Sequence, residues 1–288
     1  MQLKISNLCK TYRNGTRALS DVSLTVTEGM FGLLGPNGAG KSTLMRTLAT
    51  LQEADQGGAE LDGIDVLKEK DSVRRRLGYL PQEFGLDPKV TAIDMLDHFA
   101  ALKGIRSKTE RTSAVESLLR QTNLWDSRHK RLGTFSSGMK QRFGIAQALL
   151  GDPQLLIVDE PTAGLDPEER SRFLNLLAGI GQSIIVILST HIVDDVNQLC
   201  TDMAILNRGT VLLQESPQGA TGRLEGKVWE KEVPRSELEQ TLTEYKVIST
   251  KLIGGTHRVR VFAESMPGPG FSAVAATLDD VYFLTVRG

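Results

Sequence analysis

Gly35-Pro36-Asn37-Gly38-Ala39-Gly40-Lys41-Ser42 lies between an apolar run, Met30 to Leu34, and a helical pattern from Lys41 to about Thr50. Strand, glycine-rich turn and helix in that order are the local context that a phosphate-binding loop requires. The glycines let the backbone fold around phosphate oxygens with its N–H groups turned inward, often at positive φ. The helix starting at Lys41 adds the positive end of its dipole. Gly35, Pro36, Asn37, Gly38, Ala39, Gly40, Lys41, Ser42 and Thr43 are therefore expected to cradle a nucleoside triphosphate. Lys41 should reach the β- and γ-phosphates, and the Ser42 hydroxyl should ligate Mg²⁺.

A second run, Leu155-Leu156-Ile157-Val158-Asp159-Glu160-Pro161, is an apolar strand that ends in two acids. Open α/β sheets bind ligands at the carboxyl edge of their strands, which is where this order places the pair. Neighbouring side chains on a strand point to opposite faces, so the two carboxylates should divide their roles. Asp159 suits the magnesium shell. Glu160 suits general-base or water-positioning work against the γ-phosphate.

Working outward, Leu3/Ile5 and Val22/Leu24/Val26 alternate as strands around a turn at Asn14-Gly15. From Thr91 to Trp125 the period becomes helical, in Ile93, Leu96, Phe99, Ala100 and Leu102 and again in Val115, Leu118 and Leu119. Ser136 or Ser137 caps a helix that runs through Ile145 and Ala148 towards Asp152-Pro153. Strands at Leu155–Val158 and Ile184–Leu188, with a helix around Glu168–Leu177 between them, imply a parallel sheet covered on both faces. Past Pro217, Gln218-Gly219-Ala220-Thr221-Gly222 reads as a linker. It precedes a strand (Lys227–Val233), a helix (Ser236–Tyr245), a hairpin (Lys246–Ala263) and a turn-rich break (Met266–Gly270).

The 288 residues suffice for a sizeable core. With 34 basic and 35 acidic side chains, nothing in the composition asks for a polyanionic partner. Cys9 and Cys200 lack ligand spacing and read as reduced, buried thiols of a cytosolic protein. No signal-peptide pattern opens the chain, and no window approaches the ~20 apolar residues of a spanning helix. Work at a membrane would need another polypeptide to supply the span.

Between the two nucleotide motifs stands Phe135-Ser136-Ser137-Gly138-Met139, followed by Lys140-Gln141-Arg142. It resembles the signature of the ABC (ATP-binding cassette) ATPases, usually Leu-Ser-Gly-Gly-Gln, with Ser137 and Met139 as departures. The resemblance continues in order over roughly residues 10–210. Tyr12 sits where the family places an aromatic that stacks on adenine. Gln82, after Tyr79-Leu80-Pro81, matches the Q-loop glutamine, and Ala163-Gly164-Leu165-Asp166 matches the D-loop. His191 in Ser189-Thr190-His191 matches the switch histidine, whereas His98, His129 and His257 have no such context.

The resemblance implies a P-loop NTPase cassette of α/β class, spanning residues 1–217. It would have an antiparallel N-terminal part, a parallel core sheet and a helical insertion at about 91–150, with a small α+β domain at 218–288. It implies ATP and Mg²⁺ as ligands, with Ser42, Gln82 and Asp159 on the metal and Lys41, Glu160 and His191 in catalysis. Ser136, Ser137, Gly138 and Asp166 would face ATP held by a second cassette, in a homodimer or a heterodimer. A separate membrane-spanning permease is the implied partner, nucleic acid is not, and the implied location is the cytoplasmic face of the membrane. In transporter cassettes the stretch from Gln82 to about Thr91 and the helical insertion meet the permease, with Phe84 and Leu86 either exposed for that contact or packed inside. The tail, Thr277-Leu278-Asp279-Asp280-Val281-Tyr282-Phe283-Leu284-Thr285, resembles the ending of bacterial drug, antibiotic or lipid exporter cassettes; otherwise it reads as an amphipathic helix closing the small domain. An importer cassette stays open as an alternative. A soluble ABC ATPase acting on ribosomes or chromosomes is less well matched, since the chain has neither two cassettes nor long coiled coils.

Overall fold

Apolar residues at alternate positions turn the N-terminus into two long antiparallel strands, β1 (Gln2–Thr11) and β2 (Arg17–Thr27). Leu3, Ile5, Leu8, Leu19, Val22, Leu24 and Val26 are buried on their inner face. The computed structural model describes residues 1–287, and its contacts divide into two compact units, Met1–Val211 and the chain from Leu212 onward.

In the first unit, β3 (Gly29–Leu34) leads through the glycine loop into α1 (Lys41–Leu48). β4 (Gln56–Leu61) and β5 (Ile64–Asp65) extend the antiparallel sheet in the order β2-β1-β4-β5. Next come α2 (Lys70–Arg76), β6 (Leu77–Leu80), and the helical region α3 (Ala92–Leu102), α4 (Lys108–Gln121) and α5 (Ser137–Ala148). β7 (Leu155–Asp159), α6 (Pro167–Ile180), β8 (Ile185–Thr190), α7 (Val193–Leu199), β9 (Asp202–Asn207) and β10 (Thr210–Glu215) follow. The second sheet runs β10-β9-β3-β8-β7-β6. Its strands β3, β6, β7 and β8 pair in parallel, and β7 and β8 are buried at every position. They are the continuous apolar runs read from the sequence.

Strand register sets the level of the loops. Leu34 lies opposite Thr190, Asp159 opposite Ser189, and Val158 opposite Leu80. The next residues in each chain, Gly35, His191, Glu160 and Pro81-Gln82, therefore emerge together along one sheet edge.

α3, α4 and α5 share a core of Leu96, Val115, Leu119, Leu132, Phe135 and Phe143, with Leu86 packed against it. α5 also lies directly on β6. A Cβ on Gly78 would fall 2.3 Å from the Ala148 carbonyl oxygen, and one on Gly144 would fall 2.8 Å from Phe84. Phe84 and Leu86 are half-buried, each packing inside on one side and lining a surface groove on the other. Cys200 is buried, and that burial pushes its thiol up to about 12, while Cys9 is only half-buried.

The second unit opens with α8 (Pro217–Gly222), where the sequence reads as a linker. The Ser216 hydroxyl accepts a hydrogen bond from Gly219 N–H, and Pro217 fills the first helical position, so Ser-Pro starts a helix that glycine content masks. β11 (Val228–Val233), α9 (Leu238–Glu244), β12 (Lys246–Ile253), β13 (Thr256–Phe262) and β14 (Ser272–Ala273) give a sheet ordered β12-β13-β11-β14. Val233, Val259, Val261 and Phe271 form its core. The tail is α10 (Leu278–Arg287), whose buried Asp280 accepts from Thr277 N–H and Oγ1–H at 2.8 Å each and pairs with Arg260 at 2.7 Å.

Candidate active site

The glycine loop owes its shape to two left-handed positions, Gly38 (φ 79°) and Gly40 (φ 108°). At Gly40 a Cβ would also fall 2.4 Å from the Ala18 carbonyl oxygen. No side chain caps α1, whose N-cap is Gly40 itself, so its first-turn N–H groups face the loop. Together with Tyr12, Thr16, Arg17, Ala18, Gln82 and Glu160, residues Asn37 to Thr43 line a cleft of about 460 Å³.

Lys41 is buried, and its Nζ donates to the carbonyl oxygens of Gly35 (2.7 Å) and Pro36 (3.2 Å). Glu160 Oε1 lies 3.6 Å from it. Burial holds the Lys41 ammonium below the ordinary lysine range, against the opposing pull of the Glu160 and Asp159 carboxylates. His191 Nδ1 lies 3.4 Å from the same Glu160 Oε1, and Gln82 Nε2 donates to Glu160 Oε2 at 3.4 Å. Lys41, Gln82 and His191, drawn from three loops, converge on one carboxylate.

Glu160 reaches this point by backbone geometry rather than strand alternation. β7 ends at Asp159, and Glu160 sits at φ 47°, a left-handed position that costs a glutamate of order 1–3 kcal/mol. Its N–H donates to Ser189 O at 2.8 Å, which ties the turn to β8. Asp159 stays buried, and its Oδ1, like Ser189 Oγ beside it, has no hydrogen-bond partner among the described residues. Buried polar atoms are rarely left so. An oxygen acceptor and a hydroxyl at a phosphate site fit Mg²⁺, which takes one or two carboxylates, waters and phosphate oxygens.

Tyr12 leaves its ring 37% exposed at the cleft mouth while its hydroxyl is anchored by Thr43 Oγ1 (3.1 Å) and Gln52 Oε1 (3.2 Å). Sequence reading missed Gln52, and also Thr162, Asp195 and Arg170. The Thr162 hydroxyl donates to the fully buried Asp195 (2.7 Å), which also accepts from Arg170 Nε (2.8 Å). This triad fastens the loop after Glu160 to α6 and α7. No local spacing in the sequence marks it, since Val193 and Asp195 lie two apart on the helix α7.

Among the described residues, Ser136, Ser137, Gly138 and Asp166 do not line this cleft. Ser136 caps α5 by accepting from Met139 N–H (3.2 Å), and Asp166 caps α6 by accepting from Glu169 N–H (2.9 Å). Ser136, Ser137 and Asp166 are exposed, whereas Gly138 is buried.

A family model described as ABC transporter matches residues 19–163. The daunorubicin/doxorubicin resistance ATP-binding protein DrrA of Streptomyces peucetius is 35% identical over 280 residues, covering 96% of this chain and 81% of that protein. The linearmycin resistance ATP-binding protein LnrL of Bacillus subtilis is 33% identical over 226 residues, 78% of this chain and 72% of that one. A solved dimeric, post-hydrolysis ATP-binding cassette bound to ADP and Pi superposes with a TM-score of 0.67 at 27% identity, covering 74% of this chain and 98% of its own.

The Lys41 shift has a signed consequence. A lysine with a lowered folded pKa penalises the folded state while protonated, and the penalty fades as pH rises through the folded value towards the unfolded one. In urea melts, the wild type should therefore gain stability relative to Lys41→Met as pH is raised from neutrality towards the ordinary lysine pKa. Parallel pH profiles, or a relative loss, would contradict a desolvated Lys41.

Proposed function

The chain belongs to the ABC transporter family as an ATP-binding subunit with ATPase activity, and from that premise we propose that it drives an exporter by closing with a second cassette around ATP. The observation that carries this reading is the division of the motifs. Lys41, Gln82 and Glu160 line one cleft, with His191 held beside Glu160, whereas Ser136, Gly138 and Asp166 stand away from it on helix N-termini of the same chain. A head-to-tail pair brings each signature turn to the other subunit's cleft. There the α5 N-terminus and the Ser136 hydroxyl, whose lone pair already serves the cap, donate to the γ-phosphate much as an arginine finger does.

Within one cleft Tyr12 offers its face to adenine, and the loop N–H groups with Lys41 take the β- and γ-phosphates. Glu160 orients or deprotonates the attacking water, and His191 holds the γ-phosphate from the far side. Ser42, Gln82 and Asp159 would hold Mg²⁺ arriving with ATP, which neutralises charge between the β- and γ-phosphates when bound. ATP bound at the seam favours closure by its differential affinity for the closed state, and hydrolysis removes that preference.

Export is favoured over import because the similarity to a drug-resistance subunit runs through the second unit as well as the first. Among the described residues no helix is long and apolar enough to cross a membrane. A separate permease then holds the cassette at the cytoplasmic face. The surface that fits such a partner is a groove of about 410 Å³ lined by Arg74, Arg75, Tyr79, Phe99, Leu102 and Lys103, in which Leu102 is 71% exposed. An apolar floor with basic rims suits a short amphipathic helix bearing an acid.

Replacing Glu160 with Gln should stop turnover and trap an ATP-dependent dimer on size-exclusion chromatography. Adding Ser136→Arg should abolish that dimer while the monomer still binds ATP. Near-normal hydrolysis by Glu160→Gln would remove its assigned role, and a dimer that survives Ser136→Arg would remove the two-subunit site. Leu102→Asp should release the chain from the membrane fraction of its host with ATP affinity unchanged; a chain that stays membrane-bound places the permease elsewhere.

A further inference from the structure

Asp166-Pro167-Glu168-Glu169 has the pattern of a capping box, in which the acid three residues after the cap turns back to the cap's own N–H. Asp166 makes its half, accepting from Glu169 N–H at 2.9 Å. The Glu169 carboxylate goes elsewhere, onto the first turn of α5. Its Oε2 lies 3.5 Å from Arg142 Nη2, and its Oε1 accepts from Arg172 Nη1 at 3.1 Å. Arg142, with a side chain only 10% exposed, is itself fixed on the signature turn: its Nε donates to Gly138 O (3.4 Å) and its Nη1 to Asn123 O (3.2 Å).

Gly138 makes room for this arrangement. A Cβ there would lie 2.2 Å from Glu169 Oε2 and 2.7 Å from its Cδ. The carboxylate could yield only by leaving Arg142. Arg142 would keep its bonds to Gly138 O and Asn123 O but lose the carboxylate beside it, while Oε2, buried and without a hydrogen bond among the described residues, would lose its counterpart charge. A side chain at Gly138 is thus opposed from inside this chain by the Glu169–Arg142 ion pair, which would have to shift to admit it, whatever a partner subunit also needs there.

We propose that Arg142 and Glu169 are positioning residues that clamp the signature turn, Ser136 to Gly138, to the Asp166 cap. The two elements this chain offers to ATP in a partner's cleft then move as one body. The inference rests on the two-subunit reading above. Its logic is geometric: the Ser136 hydroxyl and the α5 N-terminus act on a phosphate they do not bind beforehand. A misplacement of about 1 Å then costs rate, on the order of 100-fold in unfavourable cases, without touching the cleft that binds nucleotide.

The test compares turnover with nucleotide binding by the monomer, read with a fluorescent ATP analogue, and with thermal melting. In Glu169→Gln, which keeps shape and removes charge, monomer affinity should stay within about twofold while kcat falls at least about tenfold. Arg172→Ala, which removes the exposed partner of the same carboxylate, should leave kcat within about twofold. Gly138→Ala should lower kcat, and combining it with Glu169→Asp, which withdraws the carboxylate, should give an enzyme no slower than Glu169→Asp alone. Wild-type kcat in Glu169→Gln would overturn the proposal. So would strictly additive losses in the double variant, or equal losses of monomer binding and turnover. Should Glu169→Gln melt too low to assay, the Gly138→Ala and Glu169→Asp pair decides by itself. A dimer that persists in Ser136→Arg would instead remove the underlying two-subunit reading, so the two failures are distinguishable.

Discussion

The parallel register of β3, β8, β7 and β6 is the constraint on which the rest depends. Leu34 beside Thr190, Asp159 beside Ser189 and Val158 beside Leu80 place four loops at one height. Side chains alternate along a strand, so a slip of one residue in β7 would turn Asp159 to the other face and shift the turn that carries Glu160 away from Lys41. That register is strongly held, because β7 and β8 are buried throughout and a slip would have to repack both faces of the sheet. The glycine loop, the Glu160 carboxylate and His191 are accurate relative to one another because the sheet beneath them has one comfortable alignment.

On that platform the electrostatics are those of a closed circuit. A lysine ammonium has three donors. Those of Lys41 face Gly35 O, Pro36 O and the Glu160 carboxylate. Phosphate oxygens that take a place on Lys41 must displace one of these, and the carboxylate, at 3.6 Å, is the most loosely held. On the proposed reading, displacement would free Glu160 to turn towards water and would release Gln82 and His191, which also rest on it. The left-handed backbone at Glu160, tied by its N–H to Ser189, keeps the residue in place when the side chain lets go.

The glycine loop, the acid-tipped strand and the helical region could be read from the sequence because each is a local pattern: a turn chemistry, a run of apolar residues, a period. What escaped was long-range. Thr162 and Asp195 are 33 residues apart and Tyr12 and Gln52 are 40 apart, and no spacing rule joins either pair. The division of roles between Asp159 and Glu160 was argued from strand alternation, whereas Glu160 lies past the end of β7 at positive φ, where alternation does not apply. The helix at Pro217–Gly222 was lost because its glycines outweighed the Ser216 cap. Local signals marked the loops along the sheet edge, and the side chains that brace those loops needed the fold.

The two departures from the usual signature take on different meanings in this light. Ser137 lies in the first turn of α5, in ordinary right-handed helix, and its side chain is exposed. Glycine has no conformational task there, and serine costs the backbone nothing. Met139 supplies the N–H that Ser136 caps and packs its side chain against the helical core. A thioether fills that irregular space without asking for a hydrogen bond, which a glutamine amide would need. Gly138, the position between them, is where a side chain would meet Glu169, whose carboxylate would have to move from Arg142 to admit it. The signature of this chain thus tolerates variation where its backbone is regular and solvent-facing, and is strict where the chain packs upon itself.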